Sequence, residues 1–184
     1  DENAFNQFVG PMKDIIFSYI EGNVPLASLN ENGLIWAGDE NSQLTWMDAR
    51  VNEKPVTPRY GHAVDINALW INALGFYLEV EKDTKCTDIV KPLYNKAKKS
   101  FIDCFWLHDK KYLADVVNDH GVDESIRPNQ IFAVSLKYSA LNKSQKKSVV
   151  KVVRDHLFTP FGLRTLSPQS DDYRSFYSGS SEER

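Results

Sequence analysis

Residues about 61–81 carry Val64, Ile66, Ala68, Leu69, Trp70, Ile71, Ala73, Leu74, Phe76, Tyr77 and Leu78. Wound at about 3.6 residues per turn, these positions cover every side of a helix. A helix that is apolar all round has to be buried on all sides, so other elements must surround this one. Its neighbours in sequence are one-sided. Phe5, Phe8, Val9, Met12, Ile15, Ile16, Tyr19 and Ile20 recur at three- and four-residue steps, with Asn3 as a cap and Gly22 as a stop. Over about 87–105, Ile89, Val90, Leu93, Tyr94, Ala97, Phe101 and Phe105 form one stripe, and Lys91, Lys96, Lys98 and Lys99 lie away from it, as on an outer helix. Pro92 must sit in the first turns of that helix or kink it, because proline deletes a backbone donor.

Between the helices the periodicity breaks down. Leu34 to Ala37 and Leu44 to Met47 flank Gly38-Asp39-Glu40-Asn41-Ser42, which predicts a hairpin or a long ordered loop. A second short hairpin is expected from Phe105 to Leu107 and from Tyr112 to Val117, around His108-Asp109-Lys110-Lys111. Pro128 then opens another apolar helix, Ile131 to Tyr138, and Ser144 caps an amphipathic helix ending near His156. The order is amphipathic helix, loop with an aspartate, apolar helix, and then the same again. Asp48 and Asp115 take equivalent places, as do Thr57-Pro58-Arg59 and Ile126-Arg127-Pro128. A repeat of about 65 residues, each a helical pair unable to bury its own face, predicts a stacked or closed helical array with the apolar helices inside. The loops entering those helices would converge at one end, where a pocket can form.

Composition narrows the partners. The 184 residues, 42% hydrophobic and 26% charged, predict a single domain followed by an irregular tail over about 167–184. A net charge of -3 and a pI near 5.8 give no reason to expect nucleic acid or an anionic membrane as a partner. No apolar run reaches about 18 residues, and Asp1-Glu2-Asn3 is acidic where a signal peptide is basic, so the chain reads as soluble and cytoplasmic. Cys86 and Cys104 are expected to be free thiols. If one helix carries both, they stand roughly 27 Å apart, far beyond disulfide reach of about 7 Å. The four histidines show no metal-ligand spacing, and no metal or cofactor is expected.

The residues with chemical potential lie in the loops. Asp48, next to Trp46 and Met47, is a candidate acid, since partial desolvation raises a carboxyl toward the range where it can protonate a leaving oxygen. It could equally brace its loop. Trp36, Trp46 and Trp70 are either stacking platforms for sugar rings or core. Arg59 and Arg127 flank loop-to-helix transitions. They either donate to hydroxyls or tie down a carboxylate such as Asp65 or Asp123.

Leu44-Thr45-Trp46-Met47-Asp48-Ala49, Val56-Thr57-Pro58-Arg59, Asp65-Ile66-Asn67-Ala68-Leu69-Trp70, Ile126-Arg127-Pro128-Asn129-Gln130 and the run from Thr159 to Pro168 resemble, in order over about residues 28–179, the amylo-α-1,6-glucosidase family, the C-terminal domain of glycogen debranching enzymes. The resemblance implies an all-α fold: a partial (α/α)6 toroid with amphipathic outer helices, apolar inner helices and short β-hairpins in the connecting loops. It implies hydrolysis, with inversion, of the α-1,6-linked glucose left at a trimmed glycogen branch, so that glycogen or limit dextrin is the partner. Asp48 takes the place of the family's general acid. Arg59, Arg127 and Asn129 would then lie near the glucose pocket, and the convergence of loops at one end of the array leads us to expect Trp46 and Trp70 there as well. Where the family usually has Glu, this chain has Asp65.

A full toroid has about six helical pairs and this chain supplies about two and a half, so it reads as a fragment whose general base lies elsewhere. An inverting glycosidase needs two carboxyl groups about 6.5–9.5 Å apart. The rival readings are a non-catalytic carbohydrate-binding helical-repeat module and a trehalase-like hydrolase on the same toroid. As a fragment the chain is expected to be inactive alone, and either to self-associate through its exposed inner-helix face or to collapse its helices into the would-be pocket.

Overall fold

The computed structural model describes residues 2–176, with side chains from Gln7 onward. In chain order the elements are α1 (Glu2–Ile20), β1 (Ala27–Leu29), β2 (Ile35–Ala37), β3 (Arg50–Val51), β4 (Lys54–Pro55), β5 (His62–Ala63), α2 (Val64–Val80), α3 (Thr84–Phe105), β6 (Trp106–Leu107), β7 (Tyr112–Leu113), β8 (Val116–Asn118), β9 (Gly121–Asp123), a 3-10 turn (Pro128–Gln130), α4 (Ile131–Ser135), α5 (Lys143–Leu157), β10 (Phe158–Thr159) and β11 (Gly162–Leu163). The chain is thus helical with small antiparallel sheets, and among the described residues no barrel forms.

The core lies between α2 and α3 and extends to α1 and α5. From α2 come Ala68, Ile71, Leu74 and Tyr77. From α3 come Val90, Ala97, Phe101 and Phe105, the expected stripe; α5 adds Val149, Val153 and Leu157. Phe101 and Phe105 are fully buried with ring centroids 4.8 Å apart. Burial of each such side chain is worth roughly 1.5–3 kcal/mol. Of the same stripe, Ile89 is exposed. Asp83 starts α3 by accepting from the Lys85 amide at 2.9 Å. Pro92 stands well inside α3, and the helix runs on past it to Phe105.

Several expectations are corrected. Helix α2 is not buried on all sides. Its α3-facing side is, but Leu69 is 42% exposed and lies with Ile66 and Ala73 in a shallow apolar hollow beside Ile15 and Tyr19. The apolar helix expected from Ile131 to Tyr138 ends at Ser135, and Leu136 is already extended. The cause is tertiary: Tyr138 donates its amide to Asn72 Oδ1 (3.2 Å), and its ring lies where a Cβ on Gly75 of α2 would come within 2.4 Å of Tyr138 Cγ. The cap of α5 is Asn142 rather than Ser144. Asn142 and Gln145 exchange side-chain to amide hydrogen bonds at 2.9 and 3.0 Å, closing both donors at once. Asn3, expected as a cap, falls within α1.

The loops also pair differently from expectation. Ile35 to Ala37 turns back on β1 rather than forward, and residues 44–47 form no strand, so of the hairpin and the long loop expected there the loop is found. Asn67 favours this arrangement: its amide brackets Ile35, accepting from its N–H (2.8 Å) and donating to its carbonyl (3.0 Å). The hairpin after Asp48 is β3 with β4, turned by Asn52 and Glu53 at φ 49° and 62°. In the second unit, β6 pairs with β7, whereas Val116 and Val117 belong to another sheet. That sheet, in the order β5, β8, β9, joins the two units: His62 faces Val117 and Ala63 faces Val116. Gly61, at φ 103°, allows the close approach, since a Cβ there would lie 2.7 Å from the Val117 carbonyl oxygen.

Candidate active site

The junction of the two units is polar and buried. Arg59, in the segment leading to β5, is buried between Asp65 in the first turn of α2 and Asp115 just before β8. Its Nη2 donates to Asp65 Oδ1 at 2.8 Å and its Nε to Asp115 Oδ2 at 2.8 Å. A planar guanidinium suits this double grip, because its donors form a rigid fork. Burial acts to lower the Arg59 pKa, and the charges and hydrogen bonds of Asp115 and Asp65 outweigh it, so the group is held above its ordinary value. Burial pushes the Asp115 carboxyl up, against the opposing pull of Arg59, Asn129 and Arg127.

From Asp115 the network runs to the loop that carries Asp48. Asn129, at the 3-10 turn and 1% exposed, donates from Nδ2 to Asp115 Oδ1 at 2.7 Å. Its Oδ1 accepts the Trp46 indole N–H at 2.8 Å, and its Nδ2 also meets Met47 Sδ at 3.6 Å. An indole can only donate and a carboxylate only accept, which fixes the orientation of the amide between them. Trp46 is 53% exposed, so its ring stands out from the surface while its N–H is anchored inside.

Asp48 itself is exposed, and its carboxylate has no hydrogen-bond or ion-pair partner among the described residues. The desolvated setting expected for it is not supplied by Trp46 and Met47. Its neighbour Met47 lines a groove of about 670 Å³, together with residues that include Thr57, Pro58, Arg127, Thr165 and Tyr173, within the usual range of about 300–1,000 Å³ for ligand sites. Arg127 reaches it with Nη1 on the Thr165 carbonyl at 3.1 Å, while its Nε has no hydrogen-bond partner and lies 3.8 Å from Asp115 Oδ2. The run from Thr159 to Pro168 thereby contributes a wall: Leu166 and Ser167 are buried, and the Ser167 amide donates to Ile126 O at 3.1 Å.

Of the residues picked from sequence, the fold brings Trp46, Arg59, Arg127 and Asn129 into one network or along one groove; Asp48 follows Met47 of the groove wall in sequence but does not line the groove itself. Trp70 is elsewhere. It is buried in the core, donating to Gly33 O at 3.1 Å and packing on Tyr19 at 5.3 Å. Arg59 ties down Asp65, one of the two uses foreseen for it; Arg127 approaches Asp115 rather than Asp123. Asp115 is the residue that sequence reasoning undervalued. It was paired with Asp48 in the repeat, yet one is buried at 2% exposure and bonded by Arg59 and Asn129, and the other is in the open. Among the described residues no group of His, Cys, Asp or Glu could hold a metal ion, and no helix is long and apolar enough to cross a membrane.

Comparison with known proteins gives this chain a family. The glycogen debranching enzyme of Saccharomyces cerevisiae is 26% identical over 209 residues, taking in 91% of this chain and 13% of the yeast protein. The chain thus spans a small part of that relative's length. The match to the family described as amylo-alpha-1,6-glucosidase covers residues 1–184. With its whole length matched, the chain belongs to the amylo-alpha-1,6-glucosidase family.

Proposed function

We propose that this chain is part of a glycosidase that removes the α-1,6-linked glucose left at a trimmed glycogen branch, with inversion and with Asp48 as general acid. The family match supports the reaction class. The observation that carries the role of Asp48 is its placement: a free, exposed carboxylate two residues from a half-exposed tryptophan whose N–H is anchored in a buried ionic network. The exposed ring offers an apolar face to a sugar, and Arg127 offers donors to hydroxyls along the groove. The rest of a partial (α/α)6 toroid, including the general base, comes from sequence outside this chain. Closure by those parts would shield the acid from the solvent to which it is exposed here. Glycogen or limit dextrin is the substrate, and the work is cytoplasmic.

The test is Asp48→Asn in the intact parent enzyme. Release of glucose from limit dextrin should fall by at least about 10²-fold, the lower end of what a positioned acid contributes. Turnover close to normal in a correctly folded variant would overturn the assignment.

A further inference from the structure

The two hydrogen bonds that tie loop 43–49 to residues more than 80 positions away both end on Asn129: from the Trp46 indole, and to Met47 Sδ. The loop has no helix or strand of its own. Its other bonds are local, from Gln43 Nε2 and the Val56 amide to Ala49 O at 3.2 and 3.0 Å and from the Met47 amide to Thr45 Oγ1 at 3.4 Å. Asn129 is too deeply buried to reach a substrate, and its amide is already committed on both sides. Behind it, Asp115 is held by Arg59, and Arg59 by Asp65 on α2. The loop is therefore referenced to the helical core through a single chain of directional bonds rather than through apolar packing.

We propose that Asp115 and Asn129 are positioning residues: they form a relay that fixes the indole of Trp46, and through it the place of Asp48, without either of them touching the sugar. Removing Asn129 exposes little. The Trp46 N–H sits on a half-exposed side chain and can turn to water, and Asp115 keeps Arg59. What is lost is placement, and a misplacement of about 1 Å can lower a rate about 10²-fold. The relay thus predicts a catalytic loss far out of proportion to any loss of stability.

The inference rests on the reading of Asp48 as the acid, and the experiment separates the two. In the intact parent enzyme, Asn129→Leu and, independently, Trp46→Phe should each raise amide hydrogen exchange of the peptide covering residues 43–49 at least about fivefold while leaving α3 unchanged. This measurement involves no substrate, so unchanged exchange in both variants overturns the relay whatever Asp48 does. Asn129→Leu, which touches no substrate, should also lower kcat at least about tenfold with KM within about twofold. A loss confined to KM would mean direct contact with substrate and would overturn the positioning role. In an Asp48→Asn background, adding Asn129→Leu should lower turnover by less than about threefold, because the group being positioned is gone; full additivity overturns the link to Asp48. Near-normal turnover of Asp48→Asn alone would remove the acid reading and leave the exchange result to decide the relay by itself.

Discussion

Helix α2 meets two unlike environments along its length. Its middle turns face α3 through Ile71, Leu74 and Tyr77, where the requirement is volume and shape. Its first turn presents Asp65 to Arg59 and Asn67 to Ile35, where the requirement is a matching donor or acceptor at each atom. An apolar core can relax around a change of shape. A buried ion pair that loses one partner keeps the other as an unpaired charge, so the polar end should respond more steeply to single substitutions although it covers fewer residues.

The largest effect that would test this contrast is Arg59→Met. It leaves Asp65 and Asp115 buried without their cation, and we expect about 3–5 kcal/mol lost in denaturant unfolding of the chain. A loss under about 1 kcal/mol would show that the polar junction is no stricter than the core. Next comes Gly75→Ala, on the apolar side. A methyl there would collide with Tyr138 near its Cβ and Cγ, which cannot swing away as a side-chain tip can. Overpacking of this kind costs about 1–3 kcal/mol, against less than about 1 kcal/mol gained in helix propensity. A net gain in thermal stability would refute the close packing of Tyr138 on α2.

The smallest effect is a pH dependence at the polar end. His62 is buried and its Nδ1 faces the Ile35 carbonyl at 2.9 Å, so that nitrogen carries the proton and donates. Burial lowers its pKa below 6.5, with the bond to Ile35 opposing. The unfolded chain binds a proton here below about pH 6.5 and the folded chain does not, so stability should fall as pH drops from about 6.5 toward the folded value. His62→Gln should flatten that slope in unfolding curves at successive pH values, whereas an identical slope in the variant would place the acid sensitivity elsewhere.

The helices were legible because their signal is local: stripe spacing and prolines are contained within a few turns. The pairing of Arg59 with Asp65 was legible for the same reason, as the two lie six residues apart. Asp115 was not, since its partners stand 56 and 14 residues away and nothing beside it in sequence marks it as a hub. Trp46 and Trp70 looked alike because both belong to motif-like runs. Only the fold decides that one indole N–H is taken by a core carbonyl and the other by a buried asparagine at the junction of the two units. The short α4 was misread because its apolar residues suit a helix, and what ends it is packing of Tyr138 against another element.

Helix α3 carries both cysteines, Cys86 in its first turn and Cys104 near its end, and burial pushes the Cys104 thiol up to about 11. The length of helix between them, roughly 27 Å at 1.5 Å per residue, rules out a bond between these two. A reductant-sensitive dimer of this chain is therefore a covalent link between two copies. Cys104 is a slow participant in it, because a thiol that stays protonated at neutral pH is a poor nucleophile. Storage under air, rather than anything in the fold, would be the source of such a species, and a thiol-blocking step at purification would remove it without touching Arg59 or Trp46.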